Sequence, residues 1–207
     1  MKINTDSSTE QNILEVAERL FLNQGFAATS TTLIAKEVGC NQALVHYYFR
    51  TKENLFNTIF EKKFAAFFQA LFETISMKEY TFMEKIAHII ESHFDLLCQN
   101  PKMPTLILNE LARQPDRITE LATKLKTMPE TFFDEINKEL QVEIENGRIR
   151  NINLFDLVIS MISLNIAQFI MLPVAEKLLN LTEPQKAFMI AHRRSENVDF
   201  VLKSLRP

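Results

Sequence analysis

Three glycines, seven prolines and two cysteines in 207 residues are the scarcities that narrow this sequence most. So few turn-forming residues exclude a turn-rich β architecture and favour helices. Cys40 and Cys98 lie far apart and match no ligand spacing, which excludes a disulfide framework or a zinc knuckle and fits a reducing cytoplasm. The polar opening, residues 1–10, holds no apolar run, so a cleaved secretory signal is not expected. No nucleophile, base and orienting group stand at a recognisable spacing, and Glu84 and Glu91 read as carboxylates of a solvated helix face, so no catalytic activity and no cofactor are expected. His88, His93 and Cys98 follow one another at five-residue steps, which turns them apart on a helix and argues against a metal site.

What is present suits a helical protein with a buried core: 46% of the residues are hydrophobic and 24% charged. The uncharged stretch Leu157 to Ala175 approaches the roughly 20 residues of a bilayer span. Ser160, Ser163, Asn165 and Gln168 recur through it, Pro173 closes it, and no basic cluster flanks it, so it reads as a helix buried between protein partners and no membrane association is expected.

Ser7 and Glu10 have capping-box spacing, which predicts a first helix from about Ser8, with Ile13, Ala17, Leu20 and Phe21 on one face and Gly25 at its end. Ser30 is the candidate cap of a second helix carrying Leu33, Ile34 and Val38, which Gly39 stops. Asn41 caps a brief third helix from Gln42 to about Phe49. Two short helices joined by Gly39, Cys40 and Asn41 make a helix-turn-helix. Thr51 then opens a long helix with Leu55, Phe56, Ile59, Phe60, Phe64, Phe67, Phe68, Leu71 and Phe72, expected to be shared between two domains. Further helices are predicted over Phe82 to Gln99, Thr105 to Arg113, Arg117 to Glu145 with a break near Pro129, Leu154 to Leu172, and Pro184 to Leu205.

On a helical wheel the third helix gathers Val45, Tyr48 and Phe49 on one side and Ala43, His46, Tyr47 and Arg50 on the other. The second set joins a small residue to hydrogen-bonding and cationic groups, which suits close approach to a DNA groove. Gln42, at the helix start, is placed to reach base edges and to bond an adenine through both amide atoms. Leu44 either meets a thymine methyl or extends the core. Lys52 stands at the start of the next helix, where exposed N–H groups already favour a phosphate, and Thr29, Ser30 and Thr31 place hydroxyls at the start of the second helix. Thr29, Ser30, Thr31, Gln42, Ala43, Leu44, His46, Tyr47, Arg50 and Lys52 are therefore the candidate DNA-binding residues.

The stretch Gly-Phe-Ala-Ala-Thr-Ser-Thr-Thr-Leu-Ile-Ala-Lys-Glu-Val-Gly-Cys-Asn from Gly25 to Asn41, continued by Tyr48-Phe49-Arg50-Thr51-Lys52-Glu53-Asn54-Leu55, resembles the signature of TetR-family regulators in order and spacing. The resemblance implies an all-α protein, with a three-helix DNA-binding domain at 1–50 and a helical effector-binding and dimerisation domain at 51–207. It also implies a homodimer made by the last two long helices, repression as the default, and release from DNA by an effector. Many family members carry a small residue, a threonine and a leucine where this chain has Ala43, Leu44 and Val45, and a tyrosine where it has His46, so the operator sequence stays open.

For pairing, the helix from Leu154 is apolar on more than one face, so Leu157, Met161 and Leu164 with Phe188, Val198, Val201, Leu202 and Leu205 are the candidate interface. Such a dimer presents its reading helices roughly 34 to 36 Å apart to double-stranded DNA and requires a near-palindromic operator. Phe64, Phe68, His93, Phe94, Phe132, Asn165 and Phe169 are the candidates for a largely apolar effector pocket, taken from apolar helix faces in segments that line the cavity of that family. Charge runs the other way: residues 1–60 carry five basic against six acidic side chains, so weak nonspecific binding with a shallow salt dependence is expected. The competing reading is a scaffold dimer whose head no longer binds DNA.

Overall fold

The structure is a computed structural model that describes residues 4–63, 79–113 and 130–207; among these there are helices and no strand. The helices are α1 (Asn4–Ala28), α2 (Thr31–Val38), α3 (Gln42–Phe49), α4 (52–63), α5 (Phe82–Gln99), α6 (Met103–Arg113), α7 (Glu130–Glu145), α8 (Leu154–Leu179) and α9 (Glu183–Ser204). Two compact units result, one from Met1–Ala66 with Leu106–Glu110, the other from Phe67–Thr105 with Leu111–Pro207.

In the first unit α1 buries Ile13, Leu14, Ala17, Leu20 and Phe21, a stripe at three- and four-residue spacing. It begins at Asn4, ahead of the start expected near Ser8. Gly25 breaks the helical path at φ 83°, ψ 166°, a conformation open to glycine. The chain thereby turns Phe26 back onto Phe21, with ring centroids 5.6 Å apart, and onto Phe56 of α4 at 5.0 Å. Ser30 caps α2 by accepting from the Leu33 N–H, and Gly39 closes it in the left-handed conformation, its N–H donating to the Ala35 and Lys36 carbonyls. Asn41 caps α3 through the Ala43 N–H, and Thr51 caps α4 through the Asn54 N–H. Val45 and Phe49 are the buried residues of α3, which packs on α1 and α2, and Leu55, Phe56, Ile59 and Phe60 are buried in α4. The predicted residues from Phe64 to Phe72 lie outside the described residues.

The second unit starts α5 with a capping box in which Thr81 and Glu84 satisfy each other's backbone N–H. Phe82, Ile86, Ile89 and Ile90 of α5 pack with Ile136 and Leu140 of α7, Leu157 and Met161 of α8, and Val201 and Leu205 of α9. A smaller apolar cluster joins Phe94 and Leu97 to Phe169. Arg194 of α9 forks onto Asp95 of α5 with two bonds of 2.8 Å and reaches Glu91 at 3.0 Å, so Glu91 is an ion-pair partner of α9 and not a solvated carboxylate. Glu84, by contrast, is exposed, and its carboxyl is held below the usual range by the bonds from Thr81 at the start of α5.

The α8 helix runs past Pro173 to Leu179, where the sequence predicted an end at Leu172. A proline forfeits one backbone bond and crowds the preceding turn, but the bonds on either side survive, and Ala175 to Leu179 are strong helix formers. The stop comes at Asn180, left-handed at φ 49°, ψ 48°. By length and composition alone α8 is long and apolar enough to cross a membrane; one face of it, however, carries the core residues just named.

Candidate nucleic-acid interface

Local capping fixes α2 and α3, and side chains then lock them together. Gln42, the first residue of α3, donates through Nε2 to Thr31 Oγ1 at 3.1 Å and accepts at Oε1 from Thr32 Oγ1 at 3.1 Å. Its Nε2 also lies 3.3 Å from His46 Nε2, while His46 Nδ1 lies 2.9 Å from the Arg50 carbonyl oxygen. The neutral tautomer with the proton on Nδ1 satisfies both contacts, donating to Arg50 and accepting from Gln42. Gln42 is thus a strap between the two helices, with both amide protons in use, rather than a free reader of base edges.

The face of α3 away from the core is open. Tyr47 is 61% exposed, its ring edge-on to Tyr48, and Leu44 is 38% exposed, so Leu44 projects outward and does not extend the core. Ala43, His46 and Arg50 are exposed beside them, as are Ser30 and Thr32 on α2, and Thr31 is half-buried. Arg50 closes α3 at φ 63°, ψ −56°, a rare conformation for a residue with a Cβ, held by its N–H donating to the His46 carbonyl at 2.9 Å.

Two of the predicted DNA-contacting residues point elsewhere. Thr29 is 1% exposed, and its hydroxyl donates to the Gly25 carbonyl at 2.9 Å while accepting from Gln24 at 3.2 Å. Lys52 turns inward: its ammonium donates to the carbonyls of Phe26 at 3.0 Å and Thr29 at 2.9 Å and sits 4.1 Å over the Phe26 ring. The acidic surplus of this unit is partly neutralised in place, because Glu37 pairs with Arg19 and Glu18 with Lys63.

In the second unit, four residues predicted for an effector pocket come together. The Phe94 and Phe169 rings are 5.3 Å apart, and Asn165 Nδ2 lies 3.1 Å from His93 Nδ1. Asn165 is wholly buried; it also donates to the Ile90 carbonyl at 2.8 Å and accepts from Asn197 Nδ2 at 2.8 Å. Burial pushes the His93 imidazole down to about 4. Phe64 and Phe68 lie outside the described residues, as does the side chain of Phe132.

The residues predicted for pairing are placed differently from that reading. Leu157, Met161, Val201 and Leu205 are buried in their own subunit's core, and Leu164, Val198 and Leu202 are half-buried against the same cluster, so of that set Phe188 alone is exposed, at 69%, its ring stacked on His192. The opposite face of α8 carries Phe155, Ile159, Ile162 and Ile170, all exposed, and α9 adds Phe200. An all-round apolar helix offered no signal as to which side its own core takes.

The family profile described as bacterial regulatory proteins, tetR family, matches residues 13–59, which spans α1 to α4. The chain is 27% identical over 138 residues to the fatty acid metabolism regulator protein of Bacillus subtilis (strain 168), covering 67% of this chain and 69% of that one. It is 22% identical over 148 residues to the HTH-type transcriptional repressor NemR of Escherichia coli (strain K12), covering 72% and 73%. Among solved structures, the transcriptional regulator FadR from Bacillus subtilis in complex with stearoyl-CoA shares the fold at a TM-score of 0.68 and 20% identity, over 95% of this chain and 99% of that one.

Proposed function

Because the chain belongs to the TetR family of bacterial regulatory proteins, we propose that this transcription regulator binds a near-palindromic operator as a homodimer and is released by a small, largely apolar effector. The observation that carries this reading is the open face of α3: Ala43, Leu44, His46, Tyr47 and Arg50 are exposed together on a helix whose start is strapped to α2. A helix of that build enters the major groove, with Tyr47 and Arg50 on phosphates and Ala43 and Leu44 close to base edges. Ser30 and Thr31 meet the backbone beside it, while Gln42 holds the start of α3 to α2. Thr29 serves from behind, as part of the frame.

Repression is the default sense of regulation, and the work is cytoplasmic, where the DNA is. Pairing uses the apolar face of α8 with α9, since that much exposed apolar surface on one side of a molecule calls for a partner. The effector settles near Phe94 and Phe169, with His93 and Asn165 as orienting groups, and an acyl chain such as that of the relative's stearoyl-CoA has the apolar character such a site takes. Effector coupling of about 1 to 3 kcal/mol would lower operator occupancy about 5- to 150-fold.

Selection of bound duplexes from a random pool tests this reading. Enrichment of an inverted repeat is the expected result; a folded, purified protein that enriches nothing would instead be the scaffold dimer.

A further inference from the structure

We infer that His46 positions Arg50: its imidazole clamps the strained turn that ends α3 and so fixes the direction in which Arg50 leaves the reading helix; this rests on the proposed DNA-binding reading and assigns one residue's part in it. Arg50 stands at φ 63°, ψ −56°, the conformation of a rare and strained γ-turn that residues with a Cβ seldom enter. The turn is closed by the Thr51 N–H, which donates to the Phe49 carbonyl at 2.7 Å. It falls between two fixed points. Phe49 is buried at the end of α3, and Thr51 caps α4 through the Asn54 N–H.

A backbone in so sparsely populated a region persists only where its surroundings over-determine it. Both polar backbone groups of Arg50 go to one residue. Its N–H donates to the His46 carbonyl at 2.9 Å, and its carbonyl oxygen lies 2.9 Å from His46 Nδ1, the donor in the neutral tautomer that leaves Nε2 to accept from Gln42 at 3.3 Å. The ring is therefore gripped at both nitrogens, and through Gln42 the grip extends to Thr31 and Thr32 of α2. Gln42, His46 and Arg50 stand at four-residue steps, so one line of contacts runs along α3 from its first residue to the residue just past its end. Arg50 is exposed there, and a guanidinium forks onto a phosphate only from the right direction. A corner that swings loses that contact while keeping the charge.

Two measurements decide the matter. In the free protein, nitrogen-15 NMR of the neutral imidazoles reads which ring nitrogen of His46 carries the proton. Nδ1 is expected; a proton on Nε2 overturns the inference, because Nδ1 would then face the Arg50 carbonyl with no proton to donate. The second is binding of a random-sequence duplex over a salt series by the wild type, His46→Ala, Arg50→Ala and the double variant. Each single variant is expected to lose about three- to tenfold in affinity and about 0.9 in salt slope, the value of one phosphate contact, and the double variant no more slope than either. The slope decides, since a neutral ring that touches the duplex in its own right changes affinity and not charge. His46→Asn, whose amide can stand where Nδ1 stood, should keep the wild-type slope, and His46→Gln, whose amide reaches only the Nε2 end, should not. A slope unchanged in either alanine variant, or a double variant that loses the sum of the two, contradicts the inference. A wild type that binds no duplex would sink the DNA-binding reading instead, and the ring tautomer would still decide whether the clamp exists.

Discussion

Tyr47 projects from α3 without any part in seating it, which separates binding from folding at this position. Replacement of Tyr47 by alanine is expected to weaken duplex binding by about 1 to 3 kcal/mol while thermal unfolding stays within about 0.5 kcal/mol of the wild type, as usual for an exposed side chain; calorimetry beside fluorescence anisotropy checks both. His93 gives the opposite case, a half-buried group whose charge the fold resists. Its imidazole is held down to about 4, so between that value and the ordinary 6.5 the unfolded chain takes up a proton that the folded chain refuses. Stability therefore falls as pH falls through this window and levels off below it, by about 2 kcal/mol between pH 7 and pH 5 from this residue alone. Urea midpoints at the two pH values measure the loss, and His93→Gln, which can still accept from Asn165, should flatten it. At this scale the sequence disclosed the caps, Ser30, Asn41 and Thr51, because capping is a bond between near neighbours in the chain. It did not disclose Lys52 or Thr29: their partners depend on a turn at Gly25 that brings residues 26 and 52 together, and no local pattern records it.

Among the elements, the helix-turn-helix has the most legible boundaries, and Gly39 shows why. Its left-handed conformation at φ 77°, ψ 30° ends α2, and a Cβ added there would meet nothing within 4 Å. The cost of Gly39→Ala is therefore one of backbone conformation alone, about 1 kcal/mol, which chemical denaturation can measure; a loss several times larger would mean a packing role that this geometry lacks. The α8 helix was less legible. Pro173 reads as a terminator, yet strong helix formers carry the chain six residues further to Leu179. Its apolar residues also cover more than one face, so periodicity could not say that Leu157 and Met161 turn inward while Phe155, Ile159 and Ile162 turn out.

For the whole molecule, the exposed apolar face of α8 and α9 and the open face of α3 are two halves of one expectation: a pair of chains that presents two reading helices to one duplex. Ile159→Asp with Phe200→Asp places charges on the outer face only, so a folded monomer with unchanged helical content and weakened duplex binding is expected by analytical ultracentrifugation; a double variant that still pairs would move the interface elsewhere. The most direct trial of the account uses the duplex recovered by selection, with base pairs inserted between its two half-sites. Two helices held by one dimer must meet the same face of the duplex, so inserting about five base pairs should abolish tight binding and inserting about ten should restore part of it. Affinity that stays the same whatever the spacing would contradict the account.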